Sequence, residues 1–337
     1  MKFILVTGAA GFIGADLILR LLENGEKVIG VDNLNSYYVK SLKIARVNRI
    51  KIYAEKNKFF FEFKEISINS QESLKSLFEK YNFTTVVHLA AQAGVRYSIE
   101  NPEAYFQSNL LGFGNILESV KNNNISNFIF ASSSSVYGGN NKFPSEETHN
   151  VDFPLSLYAA TKKSNELMAH SYSHLYEIPT IGLRFFTVYG PWGRPDMAPM
   201  IFTKAILERK KIKIFNYGKM KRDFTYIDDV VEGVFRCCYK PANPKIGKTS
   251  MQTSAPFRIF NIGNGQPVKL MDFIKTLERK IGICSEKKFI EMQRGDIIET
   301  FASTAALQDW INYRPKVSIE EGVDKLVDWY LKYYSNK

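Results

Sequence analysis

Cysteine is scarce in this chain and a long apolar run is missing. The 337 residues contain only Cys237, Cys238 and Cys284. An odd number without paired spacing excludes a disulfide framework and a cysteine zinc site, and it favours a reducing compartment. No stretch reaches the ~18 uncharged apolar residues that a membrane-spanning helix needs. The opening MKFILVTGAAGFIG has a basic residue and an apolar run, but glycines break the run at once and no cleavage-like end follows. Internal repeats and low-complexity domains are also missing. These absences lead to the expectation of a soluble cytoplasmic protein with no membrane partner.

Acidic residues are outnumbered, 34 against 45 basic ones, for a net charge of +11. Such a surplus could serve nucleic acid, an anionic membrane surface or a polyanionic small substrate. The basic residues are scattered, and the densest block, ERKKIKIF from Glu208 to Phe215, is short. General surface charge with local anion sites is therefore expected, and no nucleic-acid partner. Hydrophobic residues make up 45%, enough for a real core. The length suits one large or two intimately joined α/β domains.

Through the first half, short apolar runs alternate with segments of helical period. FILVT at 3–7, KVIGVD at 27–32, FFFEF at 59–63, TVVHLA at 85–90, NFIFASS at 127–133 and TIGLRFF at 180–186 read as strands. Between them, ADLILRLLENG, SLKSLFEKY, AYFQSNLLGFGNILESVKN and YAATKKSNELMAHSYSHLY read as helices. This alternation predicts an α/β fold with a Rossmann-type doubly wound parallel sheet. After Gly190 glycine and proline become frequent and strands shorten, which predicts a smaller C-terminal α/β lobe. The expected boundary separates 1–186 from 187–337, with segments of the second part interleaving with the first. The polar stretch 242–257 reads as a surface loop.

Gly8, Gly11 and Gly14 fall between the first strand and the first helix in TGAAGFIG. Gly8 permits a tight turn, Gly11 lets backbone approach a pyrophosphate, and Gly14 allows close helix–strand packing over a helix N-terminus that faces the anion. The spacing is GxxGxxG, which a plain turn also satisfies. Asp32 ends the second strand about twenty residues further on, where a carboxylate accepts hydrogen bonds from ribose hydroxyls and repels a 2′-phosphate. The pair of features points to NAD rather than NADP.

YAATK at 158–162 sets Tyr158 and Lys162 four residues apart on one helix face. A lysine below a tyrosine stabilises the phenolate, so Tyr158 is expected to have a depressed pKa and to act as a general base. YxxxK alone occurs by chance on any helix. Upstream, however, ASSSSVYG ends a buried strand in four serines, at the sheet edge where ligands bind. One or two of these hydroxyls, Ser133 first, are expected in the site and the others in turns or caps.

These motifs, with HLAAQAGVRYS and RFFTVYGPWGRPDM, resemble the extended short-chain dehydrogenase/reductases of the sugar-nucleotide branch, and most of all the UDP-glucuronate 4-epimerases. KRDFTYIDDVVEGV, APFRIFNIGNGQPVKLMDFI and MQRGDIIETFA extend the resemblance over nearly the whole chain. It implies that Gly8, Gly11, Phe12 and Ile13 lie along the NAD pyrophosphate and that Asp32 and Asn33 hold the adenosine ribose. It also implies that Ala90 and Ala91 border the cofactor, with Asn109 near the nicotinamide half and Lys162 on the nicotinamide ribose. Ser133 and Tyr158 would contact the sugar 4-hydroxyl, and Thr187, Arg222 and Arg294 the nucleotide diphosphate. Lys64-Glu65 stands where the family has Gly-Asp, which leaves the adenine contact open, and Ser303 stands where Asp is common and Arg294 where proline is usual. The helices around 103–122 and 158–176 carry apolar residues on more than one face, which suits a family-like homodimer packed as a four-helix bundle or, as the alternative, burial within the monomer.

The reaction that the resemblance implies is 4-epimerisation of UDP-glucuronate to UDP-galacturonate by transient oxidation at C4, for polysaccharide precursor supply. The keto intermediate of a uronate is a β-keto acid and loses carbon dioxide if its carboxylate aligns the C–C bond with the carbonyl. A 4-epimerase must grip that carboxylate, and arginine offers a planar bidentate contact. Arg194 in YGPWGRPDMA is the candidate, with Ser134 and Ser135 as additional donors. A solvated loop charge, or one paired with Asp196, is the alternative. At the level of function the alternatives are a UDP-glucose/UDP-galactose 4-epimerase, a UDP-glucuronate decarboxylase, and a non-enzymatic NAD-binding or RNA-binding protein.

Overall fold

The protein is represented by a computed structural model that describes residues 1–243, 253–293 and 295–335. Arg294 and most of the 242–257 stretch lie outside the described residues. Six strands alternate with helices in the first half: β1 (Phe3–Thr7), β2 (Val28–Asp32), β3 (Phe61–Glu65), β4 (Phe83–His88), β5 (Asn127–Ser133) and β6 (Thr180–Phe185). The second half supplies β7 (Thr187–Tyr189), β8 (Ile212–Ile214), β9 (Lys221–Tyr226), β10 (Phe257–Ile262), β11 (Pro267–Lys269) and β12 (Lys287–Phe289).

Seven strands form one parallel sheet in the order β10-β6-β5-β4-β1-β2-β3. Helices cover both faces, so β1 is buried along its whole length and reads as a continuous apolar run. Strand order reverses between β1 and β4, which opens a crevice outside the carboxyl ends of the strands at that point. The edge strand β3 is only half-buried and begins two residues later than the FFFEF run suggests. The segment expected as one helix from Ala104 onward contains a π-helical stretch, Phe106–Leu111, ahead of the helix Gly112–Lys121.

Strand β10 returns the chain to the large sheet beside β6. Helix Ile227–Cys238 meets helix Phe12–Glu23, where Arg20 pairs with Glu232 at 3.0 Å. A small sheet β11-β9-β7 lies beyond, filled by Phe224 stacked on Phe273 at 4.4 Å with Tyr189 edge-on. The terminal helix Ile319–Ser335 presents Trp329 and Tyr333 to Trp192, at 5.3 and 5.0 Å between ring centroids. Trp192 has φ +63°, a backbone state unfavourable for a bulky residue, and these rings hold it there. The loop after β7 is thus set by packing from a helix more than a hundred residues away.

Candidate active site

Helix Phe12–Glu23 starts directly after the turn that leaves β1. Gly11 is its N-cap and no side chain caps the first turn, so the N–H groups of Phe12 and Ile13 point outward without a competing acceptor from a side chain. The three glycines are required sterically. A Cβ on Gly8, which has φ +73°, would stand 2.8 Å from the Ala90 nitrogen. On Gly14 it would stand 2.2 Å from the Gly8 carbonyl oxygen, and on Gly11 2.9 Å from the same atom. Asp32 accepts hydrogen bonds from the Ala10 and Leu34 amides at 3.1 and 2.9 Å, which aims its carboxylate across the turn. Burial pushes its pKa up while those amides pull it down. Asn33 closes an Asx turn by accepting from the Asn35 amide. A backbone cradle free of Cβ atoms, a helix N-terminus and a fixed carboxylate fit the pyrophosphate and ribose of NAD. At the β3 end, Lys64 pairs with Glu62 and Glu65 with Lys40, so both departures from the family pattern have partners within the chain.

At the end of β4 the chain turns through Ala90 and Ala91 beside Gly8. The Ala90 amide donates to Thr7 Oγ1, which in turn contacts His88 Nδ1 at 2.8 Å. His88 was not singled out in the sequence because a lone histidine in a strand carries no pattern. Asn109, buried in the π-helical stretch, accepts from the Gln92 amide at 2.8 Å and donates to the Gln92 carbonyl and Thr161 Oγ1 at 2.9 and 3.0 Å. Its amide is fully engaged within the chain. It ties the loop after β4 to the helix that carries Tyr158 and Lys162. A π-helical stretch that redirects one side chain is a frequent device at functional sites.

Ser156 caps that helix, Leu157–Tyr176, by accepting from the Ala159 amide at 3.2 Å. Its buried face carries Lys162, Glu166, Ala169 and Ser173 below Tyr158, at steps of one turn. Lys162 Nζ donates to the Ala131 carbonyl of β5 at 2.8 Å, and burial pulls its pKa down to about 8 against the opposing charge of Glu166. Tyr158 does not have the depressed pKa expected of it. Burial raises it, and the opposing influences are a hydrogen bond with Ser133 and the charge of Arg194 rather than that of Lys162. The physical reason is that desolvation of the buried phenol outweighs the charges around it, while Lys162 Nζ is directed at the Ala131 carbonyl. The serines divide as follows: Ser132 donates to Glu166, Ser133 Oγ accepts from the Ser135 amide and contacts Ser135 Oγ, and Ser134 opens the 3-10 turn Ser134–Tyr137. Glu166 is locked in a bidentate pair with buried Arg184 at 2.8 and 2.9 Å.

Across the crevice, the loop after β7 brings Arg194 close enough for its charge to act on Tyr158. The guanidinium pairs with Asp196, the alternative the sequence left open, and its side chain retains 20% exposure. Thr187 is half-buried at the start of β7. Arg222 on β9 donates to the Lys221 and Ile298 carbonyls at 2.9 and 3.0 Å. Burial lowers its pKa, Asp296 opposes this, and the nearby charge of Arg96 adds to it. Arg96, whose place in HLAAQAGVRYS gives no local sign of a role, pairs with Asp296 at 3.0 Å. Two arginines around one carboxylate leave a local positive excess suited to a diphosphate. Ser303 is used structurally, its amide on Ser145 and its carbonyl on Asn261.

The chain is similar to known proteins over nearly its whole length. The chain is 51% identical to the protein CapI of Staphylococcus aureus over 98% of its own length and 99% of that protein. It is 45% identical to the probable UDP-glucuronate 4-epimerase of Rhizobium meliloti, covering 98% and 97% of the two chains. A crystal structure of the UDP-glucuronic acid 4-epimerase of Bacillus cereus with UDP-glucuronic acid and NAD superposes with a TM-score of 0.87 at 33% identity, covering 99% of this chain and 100% of that one. Residues 4–263 match the model of the NAD dependent epimerase/dehydratase family. With the cradle, the sheet and these matches in agreement, the chain belongs to the NAD dependent epimerase/dehydratase family.

Proposed function

We propose that this protein is an isomerase that interconverts UDP-glucuronate and UDP-galacturonate at C4. The observation that carries it is Tyr158 hydrogen-bonded with Ser133, with Lys162 one helical turn below and with Tyr105 and Gly94 linking it to the side where Arg194 lies. Gly8, Gly11, Phe12, Ile13 and Asp32 would hold the cofactor, and Arg222 with Thr187 and Arg96 the diphosphate of the substrate. NAD, when bound, supplies a reversible hydride acceptor for C4. As phenolate, which the Arg194 charge and the cationic nicotinamide ring of bound NAD would favour over the desolvation that opposes it, Tyr158 would take the proton of the 4-hydroxyl, aided by the Ser133 hydroxyl, and return it once the sugar has turned over. Arg194 grips the uronate carboxylate and keeps its C–C bond out of line with the transient carbonyl, so carbon dioxide is retained. Ser134 and Ser135 line the same edge as further donors.

This reading assigns the cofactor to residues 1–186 and the sugar nucleotide mainly to 187–337. It also includes a homodimer, supported by the exposed apolar residues Ile99, Phe106, Leu111, Leu167 and Leu175 on the helices around 97–121 and 157–176. A cytoplasmic location and supply of a surface polysaccharide precursor belong to it too. No described helix is long and apolar enough to cross a membrane.

Incubation with UDP-glucuronate followed by NMR of the products tests the proposal. UDP-galacturonate is expected. A UDP-pentose with carbon dioxide would make the protein a decarboxylase, and equally fast turnover of UDP-glucose would make it a neutral-sugar epimerase. Replacing Tyr158 by Phe should lower turnover by at least about 10²-fold, within the range of general acid–base catalysis. NAD binding should persist in that variant, and unchanged turnover would remove Tyr158 from the mechanism.

A further inference from the structure

Arg194 is held firmly along one edge and only loosely beyond it. Its Nε and Nη2 donate to Asp196 Oδ1 and Oδ2 at 3.1 and 2.5 Å, which covers the side edge of the guanidinium plane. Nη2 also reaches the Ala93 carbonyl at 3.4 Å. A guanidinium has a second bidentate edge, between Nη1 and Nη2, which can accept another carboxylate. Asp196 can therefore stay in place while Arg194 binds a second anion, which would displace only the long contact to the Ala93 carbonyl.

Asp196 is itself anchored. Tyr37 Oη donates to its Oδ2 at 3.0 Å, and burial together with the Asp196 charge pushes the Tyr37 pKa up to about 12, so the phenol remains a donor at working pH. The Tyr37 ring packs on Tyr97 at 4.6 Å and lies 5.6 Å from the Arg194 guanidinium carbon. Gly94, with φ +115°, lets the loop after β4 come close. A Cβ there would stand 3.0 Å from Tyr37 Oη and 3.8 Å from Arg194 Nη2. Three loops from three strands converge on one guanidinium.

Tyr37 lies five residues after Asp32, in the segment that leaves the ribose carboxylate. A second tie runs parallel to it. Fully buried Arg46 donates to the Trp192 and Gly193 carbonyls at 2.6 and 3.2 Å and to the Ala10 carbonyl of the glycine turn at 3.0 Å. The loop that carries Arg194 is thus fastened to the cofactor side at two points.

We infer that Tyr37 and Asp196 are positioning residues for substrate selection, fixing one edge of Arg194 so that the other edge is presented to the carboxylate of a uronate. The inference rests on the proposed role of Arg194. A neutral hexose gains nothing from this arrangement, so the effect is confined to acidic sugars.

The test is the ratio of the dissociation constants of UDP-glucose and UDP-glucuronate, measured by calorimetry on the NAD-loaded full chain. Asp196→Asn should reduce the preference for UDP-glucuronate by about tenfold, the scale of a charge-assisted hydrogen bond, with UDP-glucose binding unchanged. Tyr37→Phe removes a single oxygen and should reduce it by about threefold, and it carries the test if the Asp196 variant fails to fold. In an Arg194→Ala background neither substitution should change the ratio further. Equal weakening of both sugars, or an undiminished effect without Arg194, would overturn the inference while leaving the role of Arg194 intact. An unchanged ratio in Arg194→Ala alone would overturn that role, and this inference with it.

Discussion

His88 is a histidine held neutral. Burial pulls its pKa down to about 3, and the positive charge of Lys162 acts in the same direction. Its ring contacts Thr7 Oγ1 and packs against Phe113 at 5.4 Å. In the unfolded chain a histidine binds its proton near pH 6.5. Between these two values the unfolded state holds more protons, so folding stability rises with pH there and is lost as pH falls. For the ligand-free protein this contribution should amount to about 1.4 kcal/mol per pH unit. Urea unfolding at several pH values should show that slope as the difference between the parent protein and His88→Gln, since buried carboxylates such as Asp32 and Asp223 titrate in both. The same slope in the variant would show that His88 does not control acid stability. No pattern around TVVHLA announces this role, because neutrality follows from what surrounds the ring.

At the scale of elements, the glycine turn is where sequence and structure agree most closely. The three glycines were legible because each satisfies a steric demand made within a few residues or by the next strand. Gly14→Ala gains helix propensity of up to ~1 kcal/mol. Its Cβ would nevertheless meet the Gly8 carbonyl at 2.2 Å, so helix and strand must separate. NAD affinity should fall by about tenfold or more, because overpacking at a backbone contact displaces the cradle itself. Gly25→Ala serves as the control, since a Cβ there meets nothing within 4 Å and only φ +80° opposes it. Cofactor titration by fluorescence should separate the two, and equal affinities would argue that the cradle does not touch the cofactor. The π-helical stretch at Phe106–Leu111 was not legible, since its residues suit an α-helix equally well. Asn109 turns inward there because Gln92 and Thr161 offer partners, and neither is close in sequence.

At the scale of the whole molecule, apolar residues lie on the outside of the helices that carry the site. Leu167 and Leu175 are 59% and 63% exposed, and Ile99 62%. If a second copy covers them, sedimentation should give a dimer. Leu167→Glu with Leu175→Glu should then give a monomer with its far-ultraviolet circular dichroism unchanged. A monomeric parent protein would show that this face has another use.

By itself, the sequence determined the alternation of strands and helices, the glycine cradle with Asp32, and the Tyr158 and Lys162 pair, because each depends on spacing within a turn, a strand or one βα unit. The tertiary structure alone decided that Lys162 binds the Ala131 carbonyl, that Asn109 serves a loop, and that Arg194 pairs with Asp196 under Tyr37. Tyr37 and Asp196 are 159 residues apart. Their meeting depends on a parallel sheet that gathers the loops after β2 and β4 at one edge, on β7 of the small sheet, whose following loop reaches that edge, and on burial that makes each polar contact obligatory there.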